Sequence, residues 1–275
     1  MWSDVTNFID NNNSDPYFFG TIIVNCSNED TELKLIDGQQ RTTTFMLLLK
    51  ALLIKINDTL KSMVSDSDSE QLKRALRERR RNIISILYKV DVEDISDEPD
   101  DENDKKIYSS FKNLINQSNQ EIYKNELENI MCSVDYDEAN SRRVDILYKR
   151  KDNRLTNFFK NFKHFYSKEN LNKIDFLNKF TKTFLDECQV IEIKSWKVEQ
   201  AITMFNSLNS DGLPLTDSDI IYSKMYANLK TDEDRKILGE KWRFLIDLTD
   251  KLDSKKIVNI NALLNQKMYL YRSIN

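Results

Sequence analysis

The chain has 275 residues, 40% apolar and 31% charged, with a net charge of −4, a profile of a soluble globular protein with a helical bias. That acidic balance argues against a protein that coats nucleic acid non-specifically, while leaving room for a local basic groove. One histidine and three widely spaced cysteines exclude a standard structural zinc site, a histidine-based metal nuclease and a disulfide framework.

Tyr17 to Asn25 (YFFGTIIVN) reads as a strand and Thr31 to Ile36 as a second, joined as a hairpin by residues 26–30. An apolar helix follows from about Thr43 to Met63, too short in its apolar part to span a bilayer. Gln71 to Val90 returns to helical period. There Leu72, Leu76, Ile83, Leu87 and Val90 share one face, and Arg74, Arg77 and Arg81 lie opposite. Asp91 to Asp104 (DVEDISDEPDDEND) has little to bury and reads as a loop or linker. Beyond Lys105 the chain reads as helical, with an aromatic stripe at Phe158, Phe159, Phe162, Phe165 and Tyr166. The exception is Cys188 to Lys194, a strand expected to join the hairpin. Val198–Leu208, 217–229, about 232–250 and about 256–272 read as further helices. The expected fold is therefore α+β, a small sheet near the N-terminus with a predominantly helical body. Its expected parts are 1–90, the acidic linker 91–104, and 105–275 with one strand at about 188–194. With no signal peptide or membrane span, the expected address is cytoplasmic.

Ile36 to Thr44 (IDGQQRTTT) packs polar residues between a strand and the apolar helix. A glycine turn feeding a helix N-terminus offers amides that lack intrahelical partners, a ready anion site. Arg41 adds a planar fork able to grip phosphate through two hydrogen bonds. Neither G-x-x-x-x-G-K-[ST] nor G-x-G-x-x-G occurs, so this corner is neither a P-loop nor a Rossmann turn.

This block closely resembles the DGQQR signature of the GmrSD-type family, ParB-like or sulfiredoxin-like domains of modification-dependent restriction and phage-defence proteins. Phe205 to Ile220 (FNSLNSDGLPLTDSDI) resembles the family's F-x-x-L-N-x-x-G-x-x-L-[ST]-x-x-D-[LI] element, and Tyr17 to Gly20 its Y-F-[LF]-G approach. Three features depart from the pattern. The family's upstream I-P-x-Y-Q-R segment would end about where Met1-Trp2 stand, so an N-terminally shortened member is expected. Asp211 stands where arginine or threonine is common, and with one histidine the HNH domain often fused behind this module is not expected in this chain.

The resemblance implies a module that binds and hydrolyses a nucleoside triphosphate and so controls a nuclease. Under it Asp37, Gln39, Gln40 and Arg41 are candidate catalytic residues, with Asp37 also a candidate ligand for Mg²⁺. Gly38, Arg41, Thr42, Thr43, Asn206 and Asn209 are candidates for holding the nucleotide. Arg74, Arg77 and Arg81 are candidates for DNA phosphates, or else a solvated face paired with the acidic run. Expected partners are the triphosphate, DNA and an HNH-type nuclease domain or subunit, with no membrane. The alternative is a DNA-binding or protein-docking module without catalysis.

Overall fold

The computed structural model describes residues 1–11, 15–26, 34–63, 70–111, 121–146, 154–197, 200, 217–229 and 231–253, with a few positions between 258 and 267. In order these form α1 (Trp2–Asp10), β1 (Tyr17–Asn25), β2 (Lys34–Asp37), α2 (Gln39–Ser62), α3 (Glu70–Tyr88), α4 (Asp101–Ser109) and α5 (Glu121–Cys132). Then come α6 (Tyr136–Ser141), α7 (Asn157–Tyr166), α8 (Ile174–Asp186), β3 (Cys188–Ser195), α9 (Asp217–Asn228) and α10 (Asp232–Asp253). The α+β class holds, with helix dominant. No described helix is long and apolar enough to cross a membrane.

The sheet has the order β2-β1-β3. β1 and β2 are antiparallel, Ile23 facing Asp37 and Val24 facing Leu35, so Ile36 is the extra residue of a bulge. Tyr17 N donates to Glu187 O and Cys26 N to Ser195 O, so β3 runs parallel to β1. The sequence placed β1 and β3 to within a residue. Of the second strand only Lys34–Asp37 falls within the described residues.

The chain makes two compact units, Met1–Thr21 with Gly38–Ile191, and Ile22–Asp37 with Glu192–Asn275. In the first, α2 is the hub and packs against α3, α5, α7 and α8. Its run Leu47 to Ile54 is buried on every side, which is why the segment shows no polar face. The aromatic stripe of α7 buries Phe159, Phe162 and Phe165 and leaves His164 exposed. In the second unit α9 packs on α10, with Tyr222 and Trp242 rings 5.2 Å apart.

The acidic run is not a free connector. Only one 3-10 turn, Val92–Asp94, forms in its first half, but Asp101 opens α4 and Asp104 is buried. Asp104 accepts from Arg80 Nη2, Arg80 Nη1 donates to Ser96 O at 2.6 Å, and Arg80 Nε donates to Asn57 Oδ1 at 2.9 Å. Neither compact unit ends at this run, because it clamps the face of α3.

A second buried carboxylate, Glu126, holds Val144 and Thr156. It accepts from Val144 N at 2.6 Å and from Thr156 Oγ1 at 2.9 Å, and burial raises its pKa. Thr156 also caps α7, accepting from Phe159 N at 3.0 Å. Thr156→Ala is therefore expected to cost roughly 1–2 kcal/mol in a urea melt, the worth of a cap. A loss under about 0.3 kcal/mol would show that the hydroxyl holds neither group.

Candidate functional site

Asp37 ends β2, and Gly38 turns the chain into α2 at φ 88° and ψ 11°, a left-handed conformation that favours glycine. The first helical hydrogen bond is Thr42 N to Gly38 O at 2.8 Å. The helix thus begins at Gln39, one turn before the position that apolar period alone suggests. That shift matters, since Gln39, Gln40 and Arg41 become first-turn helical residues whose amides have no earlier helical carbonyl to meet. Gly38 at the N-cap has no side chain with which to cap them.

Helical spacing then sorts the signature by direction. Gln40, Arg41, Thr44 and Phe45 face a pocket of about 300 Å³, whose other walls are Met1, Asp4 of α1, and Tyr17, Phe18 and Phe19 of β1. This volume lies at the small end for a ligand site. The aromatic wall is braced: Phe19 meets Phe45 edge-on at 5.0 Å and Phe184 at 6.0 Å, and Tyr17 meets Phe19 at 4.8 Å. Phe18 is exposed.

Arg41 is half-buried, and its Nη1 donates to Thr21 O at 2.5 Å. Its guanidinium lies against Gly20, where a Cβ would stand 3.1 Å from Nη2 and 3.2 Å from Cζ. Among the described residues no carboxylate pairs with it within ion-pair distance, and it borders the open pocket. Asp4 lines the same pocket and supplies the one acidic side chain of its lining.

Of the sequence candidates, the pocket brings together Gln40 and Arg41. Asp37, Gly38, Gln39, Thr42 and Thr43 are not in its lining. Thr43 Oγ1 donates to Gln39 O at 2.9 Å and Thr44 Oγ1 to Gln40 O at 2.6 Å, so both hydroxyl protons serve the helix and only their lone pairs remain for a ligand. Thr42 Oγ1 is buried with no hydrogen-bond partner among the described residues. Asn206 and Asn209 lie outside the described residues.

The arginine face of α3 is largely answered by acids. Arg77 pairs with Glu70 and Glu98, Arg81 with Asp97 at 3.0 Å, and Arg79 with Glu78 and Asp186 at 3.6 and 3.7 Å. Arg74 is exposed. A duplex would have to displace the pairs of Arg77 and Arg81.

Reading by motif missed Asp4, the aromatic wall and the contact of Gly20 with Arg41. The last had a visible signal: a lone glycine inside a strand marks a bulge or a close approach, and Gly20 sits at φ 103° in mid-β1.

Neither curated proteins nor solved structures yielded a match. The family model of the GmrSD restriction endonuclease N-terminal domain matches residues 1–226, which take in α1 to α8, the whole sheet and the pocket. With more than half its length matched, the chain belongs to the GmrSD restriction endonuclease N-terminal domain family and so to a restriction and phage-defence system.

Proposed function

We propose that the chain binds a nucleoside triphosphate at the start of α2 and hydrolyses it to regulate a nuclease domain or subunit acting on DNA. The observation that carries this reading is Arg41, which borders an open pocket beside first-turn helix amides with only one of its N–H groups committed, to Thr21 O, among the described residues. Guanidinium and amides together suit the charge and shape of phosphate. Phe18 and Tyr17 offer ring faces to a base, and Gln40, exposed at the rim, is placed to orient a water. Mg²⁺ would draw one carboxylate from this pocket, that of Asp4, since Asp37 is not in its lining. That ion is commonly held by one or two carboxylates plus phosphate oxygens, so a single acid fits. Among the described residues no three potential ligands converge on one metal position.

The test is calorimetric titration of the four triphosphates with Mg²⁺ into the parent protein and into Arg41→Ala, with melting temperatures recorded alongside. Loss of a charged hydrogen bond costs roughly 1.5–3 kcal/mol, so Arg41→Ala is expected to bind about tenfold to a hundredfold more weakly. Equal affinity in both proteins, or no binding by the parent, would discard the reading.

A further inference from the structure

We infer that Gly20 is the positioning residue of this pocket, the seat on which the Arg41 guanidinium is held for an anionic ligand. The inference rests on the reading of the pocket as a phosphate site and adds how its cation is aimed. Two properties of Gly20 act together. Its φ of 103° is a backbone state that side-chain-bearing residues rarely adopt, and it occurs in the middle of β1, where regular pleating would not require it. Its missing side chain leaves room for the guanidinium to lie against the strand, with Nη2 at 3.1 Å and Cζ at 3.2 Å from where a Cβ would be. From that seat Nη1 reaches Thr21 O at 2.5 Å, which fixes the rotation of the planar group and leaves other N–H groups for the pocket. An arginine held at two points gives up less freedom on gripping phosphate than one that is free to swing. A Cβ at position 20 would stand tighter against the guanidinium than packed carbons normally do, so the flexible arginine must shift by a few tenths of an ångström and its aim changes.

The test is a double-mutant cycle over Gly20→Ala, Arg41→Ala and both together, read by calorimetry with Mg²⁺ and inorganic triphosphate, a probe without a base. Gly20→Ala is expected to weaken binding about tenfold, and to weaken it no further on the Arg41→Ala background. A second readout needs no ligand: the nitrogen-15 NMR signals of the Arg41 guanidinium. They are expected to be resolved by hindered rotation in the parent and averaged in Gly20→Ala. Parental affinity in Gly20→Ala, or an equal loss on both backgrounds, overturns the inference. If Gly20→Ala does not fold, recovery of folding in the double variant supports a clash with the guanidinium, and failure of both shows that only the backbone needs the glycine. A parent that binds no triphosphate but holds the Arg41 signals rigid, with Gly20→Ala releasing them, discards the ligand and keeps the seat.

Discussion

Replacing Asp104 with alanine is expected to remove about 3–5 kcal/mol of stability, against less than about 1 kcal/mol for Asp101→Ala three residues earlier. Both acids come from the same acidic run and both pair with a cation, so composition does not separate them. Burial does. Asp101 meets Lys61 at 2.6 Å with both side chains well exposed, where water screens the pair and the two chains lose freedom to form it. Asp104 meets Arg80, which is fully buried between α2, α3 and α4. Removing the carboxylate leaves a guanidinium with Asn57 Oδ1 and Ser96 O as acceptors and no counter-charge. Urea melts of the two variants decide the matter, with Asp104→Asn expected between them because it keeps an acceptor and loses the charge. Stabilities of folded domains run at roughly 5–15 kcal/mol, so Asp104→Ala without a cooperative melt counts as the larger loss. Asp104→Ala within about 0.5 kcal/mol of Asp101→Ala would mean that the pair is open to water.

The second large effect is in pH. Lys50 lies fully buried on α2, its Nζ donating to Tyr88 Oη at 2.9 Å and standing 3.8 Å from the Tyr108 ring centre, while Tyr88 Oη donates to Met131 O at 2.6 Å. Burial lowers its pKa from 10.5 to about 7, against the opposing pull of Cys132, Asp104 and Glu138. The sign follows from proton counting. Between about pH 7 and 10.5 the unfolded chain holds a proton on this lysine that the folded protein has released, so stability rises with pH across that window and is lost as pH falls back through 7. The gain due to Lys50 is about 2 kcal/mol between pH 7 and pH 9, at up to about 1.4 kcal/mol per unit. Cys132 and Cys188 act in the opposite sense from about pH 9, since burial raises both thiols and the unfolded chain ionises first. The clean readout is therefore the difference between the parent and Lys50→Met from pH 7 to pH 9. Lys50→Met is expected to melt at least as high at pH 7, because a buried ammonium gives way to a side chain of similar reach, and to lack the rise. Parallel pH curves for the two proteins would show that Lys50 stays charged in the fold.

These two groups also mark where reading by residue type stopped. Lys50 looks like an interruption in an apolar helix, and Arg80 looks like one more arginine in a basic row. Both are buried because a partner from a distant segment, Tyr88 or Asp104, arrives to satisfy them, and neither partner is encoded near the residue it serves. The same holds at the pocket. The DGQQR block announced a polar corner, but which side chains face inward depends on the residue at which the helix starts. Each step along a helix turns the side chain by about 100°, and the start lies at Gln39 rather than Thr43. That is why Gln40 and Arg41 line the pocket with Thr44 and Phe45, while Gln39 and Thr43 do not.

What the amino-acid order determined alone was everything governed by near neighbours. Alternation of apolar residues gave β1 and β3, the 3.6-residue period gave α2, α3, α7 and α8, and Gly38 gave the turn that joins strand to helix. Two motifs in the right order were enough to indicate the family. Only the tertiary structure decided which charges are buried, how the acidic run clamps α3, and that Gly20 receives the guanidinium of Arg41, 21 residues further along the chain. The reason is physical: backbone preferences act over a few residues, whereas desolvation and ion pairing depend on what the completed fold brings into contact.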